Sequence, residues 1–144
     1  MKTRRPFTLL EVMIAFFLLT LAAGVIGIRM HKAIQKKKFQ SELERLRDRF
    51  YVSQRIAVAM QADWKGTLKK EKQGWVFEVR CQEVSVRDLK PLKFSPTAIS
   101  FNGKSIEKFE IDFFSSGVVQ PEGVFTFLRG SEKTQWKTAE LFPR

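Results

Sequence analysis

Arg4-Arg5-Pro6-Phe7-Thr8-Leu9-Leu10-Glu11-Val12 sets a short basic leader and a proline ahead of an apolar run that carries one acid near its start. From Phe7 to Ile28 that run is 22 residues long, with Glu11 as its one charge. A helix of this length rises about 33 Å, enough to cross a bilayer. A cleavable secretory signal has a shorter apolar region closed by small residues. Here the run passes directly into Arg29 and a charged stretch, so it reads as an anchor that is retained.

Glu11 is the anomaly within the run. An ionised carboxylate in hydrocarbon is costly and is found paired or functional. The α-amino group of a chain cut before Phe7, just over one helical turn away, would supply a cation at the same depth.

The string Arg4 to Val12 followed by an apolar run resembles the type III signal of type IV pilins and pseudopilins. In that family a basic leader is removed by prepilin peptidase on the cytoplasmic side and the new N-terminal residue is N-methylated. The resemblance implies cleavage between Pro6 and Phe7 and N-methylation of Phe7. It makes Glu11 the acid that meets a neighbouring subunit's N-terminus and sets register during assembly.

One position departs: the family's usual residue before the cut is glycine, whereas Pro6 locks φ and lacks an amide donor. Thr8 to Ala15 is similar to the opening of minor pseudopilins of type II secretion systems. The implied partners are prepilin peptidase, other pseudopilin or pilin subunits, and an inner-membrane assembly platform. The implied location is the bacterial inner membrane, crossed once, with the C-terminal part periplasmic.

The formal charge of +11 is unevenly placed. Lys2, Arg4 and Arg5 precede the apolar run, residues 29–62 carry nine Lys/Arg against three acids, and residues 63–144 carry fourteen against eleven. The excess therefore hugs the membrane segment, where each cation near anionic headgroups is stabilised by about 1 kcal/mol. Lys36, Lys37 and Lys38 form a basic patch facing membrane lipid, and the modest charge of residues 63–144 argues against nucleic acid as a partner. Counted by themselves, the six Lys/Arg from Arg29 to Arg45 would draw the C-terminal part to the cytoplasm, the reverse of what the resemblance implies.

Between His31 and Lys65 there is neither proline nor glycine, and the spacing predicts a helix continuing to about Asp63. Phe39, Leu43, Leu46, Phe50, Ser53, Ala57 and Met60 recur at four-three spacing and form one packing stripe. Glu42 is placed to pair along the helix with Lys38 and Arg45.

From Gly66 the period shortens to two. Trp75, Phe77, Val79 and Cys81 alternate with polar neighbours, and Leu89–Phe94 is interrupted by Pro91. Ala98–Phe101 leads into Asn102-Gly103, a tight hairpin turn, with Ser105–Phe114 as the return strand. Gly123–Leu128 and Thr134–Leu141 complete an expected antiparallel sheet of four to six strands.

The reading is an α+β, pilin-like fold, a long membrane-spanning N-terminal helix packed on an antiparallel sheet. Its stretches are residues 1–6 (leader), 7–28 (membrane segment), 29–63 (periplasmic extension of the helix) and 64–144 (β-rich globular part).

Enzyme chemistry finds no support. His31 is the one histidine and Cys81 the one cysteine, so no metal set and no Ser-His-acid or Cys-His set assembles by spacing, and no cofactor is implied. Cys81 reads as a small buried hydrophobe. Residues 131–144 hold Glu132 and Glu140 as acids, too few for the calcium loop typical of major pseudopilins. The leading function is a structural minor pseudopilin of type II secretion, aiding protein export across the outer membrane. The alternatives are a minor type IV pilin for pilus assembly or DNA uptake, and a plain membrane-anchored accessory domain.

Overall fold

The computed structural model describes residues 8–82 and 89–142, with residues 22–28 as backbone only. It is α+β, with a long N-terminal helix and antiparallel sheets. The helix α1 runs Leu9–Met60, and the chain divides into two compact units, Met1–Lys37 and Lys38–Arg144.

In the first unit the described side chains from Leu9 to Leu21 are exposed all round the helix, including Leu9, Phe16, Phe17 and Leu19. A helix apolar on every face finds its environment in a membrane or a partner. Thr20 returns its hydroxyl hydrogen to the Phe17 carbonyl at 2.8 Å, which satisfies that polar group within the helix. Among the described residues, no helix is long and apolar enough to cross a membrane. The expected crossing segment also takes in Phe7, outside the described residues, and residues 22–28, described as backbone only.

In the second unit α1 buries Phe39, Leu43, Leu46, Phe50, Ser53 and Ala57, the stripe expected from spacing, while Met60 at its end is exposed. Ser53 enters the core because its hydroxyl donates to the Arg49 carbonyl at 2.7 Å. The helix stops at Met60 rather than near Asp63, since Gln61 turns left-handed with φ 51°. Gln61 N–H then bonds the Val58 carbonyl and Ala62 N–H the Ala57 carbonyl, a Schellman closure with Ala57 and Ala62 buried together.

The strands are β1 (Trp64–Glu71), β2 (Gly74–Cys81), β3 (Leu89–Phe94), β4 (Ala98–Phe101), β5 (Lys104–Ser105), β6 (Lys108–Phe113), β7 (Val119–Gln120), β8 (Val124–Arg129) and β9 (Glu132–Lys137), followed by the short helix α2 (Thr138–Leu141). They form two antiparallel sheets in place of the single sheet expected, ordered β3-β2-β1-β6-β7 and β5-β4-β8-β9. Alternation reports which face of a strand is apolar, and it is silent on which neighbour the strand pairs with.

The strand expected over Ser105–Phe114 is two strands in different sheets. Ile106 and Phe109 both pack against the core, an odd spacing that a continuous strand sends to opposite faces. The chain breaks at Ile106-Glu107, β5 stays with β4, and β6 crosses to pair with β1. The strand expected over Thr134–Leu141 begins earlier, at Glu132, and ends at Lys137. There Thr138 leaves the ladder to bond Gly123, its hydroxyl accepting the Gly123 N–H at 2.8 Å.

β1 lies at the centre of the larger sheet, pairing with β2 on one side and β6 on the other. Its apolar face holds Trp64, Gly66 and Leu68, and the bare Cα at Gly66 makes room for the Phe77 and Phe113 rings. The expected turn at Asn102-Gly103 has positive φ at both residues, 49° and 80°. Pro91 sits in β3, an edge strand, beside the register shift between Phe77 and Val79, a place that tolerates proline.

Phe50 of α1 joins the two sheets into one core. Its ring stands edge-on to Phe77 at 4.7 Å between centroids and lies within about 6.5 Å of Phe113, Phe125 and Phe142. Cys81 is half-buried at the margin of this core rather than enclosed by it.

Candidate functional site

Thr8 caps the N-terminus of α1. The Glu11 N–H donates to Thr8 Oγ1 at 3.3 Å, and Glu11 Oε2 accepts the Thr8 backbone N–H at 2.9 Å. Thr8 Oγ1 also donates to the same Glu11 oxygen at 3.1 Å, and Val12 N–H reaches the Thr8 carbonyl at 3.3 Å. This reciprocal exchange is a capping box: each residue satisfies a backbone donor that helix geometry leaves unpaired.

The spacing Thr8-x-x-Glu11 is the sequence signal for this arrangement, and it gives Glu11 a partner within its own helical turn. The carboxylate is therefore held in the first turn of α1, at the positive end of the helix dipole. Among the described residues its hydrogen bonds go to Oε2. Oε1 remains able to accept a further donor.

Pro6 and Phe7, the residues of the expected cut and methylation, lie outside the described residues. Lys36, Lys37 and Lys38 are exposed on α1. Glu11 and these three lysines stand at separate points along α1.

Glu42 does not pair along α1 as expected. It accepts the Ser95 N–H at 3.0 Å and the Ser95 hydroxyl, and Arg129 Nη1 stands 3.3 Å from its Oε2. The cation and backbone donor in the sheets offer a half-buried carboxylate more than an exposed helical neighbour does.

On the outer face of the larger sheet, acids sit among the lysines. Lys69 Nζ lies 2.9 Å from Glu78, and that hydrogen bond holds its pKa above the ordinary 10.5 despite some opposing desolvation. Hydrogen bonds from Lys108 and then Lys65 hold Glu110 below the ordinary 4.5. Among the described residues, no three of His, Cys, Asp and Glu gather as a metal set.

Residues 1–27 match the family described as the Prokaryotic N-terminal methylation motif. No curated protein and no solved structure matches the chain. The matched motif implies processing by prepilin peptidase, assembly with other pilin subunits and association with a membrane. Proteins of this type are structural pilin-type subunits, not known as enzymes. With Thr8 and Glu11 locked together at the head of α1, the N-terminus of this chain is a prepilin-type signal of the kind carried by type IV pilins and pseudopilins.

Proposed function

We propose that the chain is a minor pseudopilin of a bacterial type II secretion system, a structural subunit that assists protein export across the outer membrane. The observation that carries this reading is the Thr8–Glu11 capping box inside the matched methylation motif. Residues 7–28 anchor the chain in the inner membrane, residues 29–63 extend the helix into the periplasm, and residues 64–144 form the globular head. Prepilin peptidase cuts between Pro6 and Phe7, and Phe7 is N-methylated. The ammonium of a neighbouring subunit then meets Glu11. In low dielectric an unpaired carboxylate is penalised, so this pairing favours one axial register over its neighbours.

The small acid complement of residues 131–144 supports a minor rather than a major subunit. The ion pairs on the outer sheet face disfavour DNA uptake, because lysines beside acids offer phosphate a weaker field. Pro6, standing where the family carries glycine, favours one second reading, an anchored accessory domain that keeps its leader.

Intact-mass and N-terminal peptide analysis of the protein from its native membrane separates the two. The proposal expects a chain beginning with N-methylated Phe7. An intact Met1–Pro6 leader would defeat it in favour of the accessory domain. Copurification with the other pseudopilins of a type II system, and with no type IV pilus component, tests the finer assignment.

A further inference from the structure

One turn from each sheet, β1–β2 and β8–β9, lies at the end of the second unit where α1 carries Glu42. The β1–β2 turn closes at the Glu71 and Gly74 pair, and Gly74 packs so tightly on the Phe94 carbonyl that a Cβ there would lie 2.8 Å from its oxygen. Lys70, Lys72 and Lys93 border one shallow hollow beside this contact. The next residue after Phe94, Ser95, bonds Glu42, and Glu42 holds Arg129 at the head of the β8–β9 turn, which leads through Glu132 to Lys133. Segments far apart in sequence thus bring Lys38, Lys70, Lys72, Lys93 and Lys133 to the same end, all five exposed.

The acids here do not cancel that charge. Glu42 is engaged by Arg129 at 3.3 Å and Glu71 by Lys69 at 3.4 Å, and Glu132 has a partner of its own. Glu107, whose carbonyl accepts the Lys70 N–H, is exposed, as is Glu71. Exposed lysines act on an anionic surface within about 8 Å at physiological ionic strength.

We infer that this end of the globular unit is a docking surface for anionic lipid headgroups, seating the head on the bilayer before the subunit enters a filament. The inference rests on the membrane-anchored reading above. A lipid surface is favoured over nucleic acid because the lysines lie at the end of the unit that carries its first residues, Lys38 to Glu42.

The test uses the full chain in nanodiscs of phosphatidylcholine with or without phosphatidylglycerol, read by amide hydrogen exchange. The expected result is several-fold slower exchange in the turns at residues 70–73 and 129–133 when phosphatidylglycerol is present. That difference should vanish in the Lys70→Glu, Lys72→Glu, Lys93→Glu variant. Equal exchange in both bilayers, with the chain incorporated in each, overturns the docking surface and leaves the anchor standing. A chain that enters neither disc defeats the anchor reading itself. Equal protection of the turns by duplex DNA in discs of phosphatidylcholine alone would assign the surface to nucleic acid and overturn the inference.

Discussion

Glu42 accepts the Ser95 backbone N–H at 3.0 Å, so a helix carboxylate stands in for a strand partner where the chain leaves the first sheet for the second. Arg129 brings a cation to the same carboxylate from the second sheet. Glu42→Ala leaves the half-buried Ser95 N–H without its acceptor and takes a carboxylate from Arg129, and the expected cost is about 2 kcal/mol. Glu42→Gln, which keeps an acceptor but no charge, should recover part of the loss. Urea unfolding of the full chain in detergent measures both, and an unchanged midpoint in the alanine variant would show that the link contributes nothing to stability.

The capping box separates two roles of Glu11 that a single deletion would merge. Glutamine also serves at the third position of such a box, so Glu11→Gln should preserve the start of α1 while removing the charge. Glu11→Ala should lose both, at about 1 kcal/mol for the cap. If register depends on charge, both variants lose copurification with partner subunits, whereas slower exchange at the Thr8 amide, which donates to the side chain of residue 11, survives in the glutamine variant alone. Normal copurification of both would remove the carboxylate from assembly.

Gln61 holds a left-handed φ of 51° at an exposed position. Glycine adopts this conformation without the Cβ penalty, which outweighs the entropy it adds to the unfolded chain. Gln61→Gly is expected to stabilise the protein by about 0.5–1 kcal/mol. A lowered melting temperature would contradict the closure described for the end of α1.

Gly66 offers the converse case. An added Cβ would lie 2.8 Å from Phe77 Cε2 and 2.9 Å from Phe113 Cε2, both on buried rings. Gly66→Ala should cost about 1–3 kcal/mol through overpacking, visible as a lower unfolding midpoint. No change there would mean that the rings yield freely.

Charge on the outer sheet face gives a pH signature. Glu110 is held below 4.5 by Lys108 and Lys65, so its stabilising contribution is present above 4.5 and is lost as pH falls through the lower folded value. Lys69 mirrors it: its contribution is present below 10.5 and is lost as pH rises through the raised folded value. A carboxyl NMR titration should place Glu110 below 4.5, and Lys108→Ala should move it upward. A titration unmoved by that variant would contradict the assigned cause.

Much of the helix was legible because burial repeats with its period: Phe39, Leu43, Leu46, Phe50 and Ala57 are all buried. The strands of strongest alternation were legible for the same reason. β1 was not, because Lys65, Lys69 and Glu71 crowd its polar side, while Gly66 blanks its apolar one and Lys70 ends it. The split of Ser105–Phe114 needed the phase conflict between Ile106 and Phe109 to be noticed. At the candidate site the acid was legible, whereas its partner in the same helical turn was hidden by its ordinariness: Thr8 is a common residue whose role depends on where the helix begins.

The crossing of β6 into the larger sheet has a consequence for biosynthesis. Leaving the ribosome, β1 finds β2 almost at once, but its other edge waits until β4 and β5 have emerged and Phe113 has followed them. Until then the central strand is a border strand, its ladder open on the side where Gly66 will meet Ile111. Open edges of this kind invite pairing with other chains, and lysines discourage it. Lys65 and Lys69 guard that edge during the interval before β6 closes it.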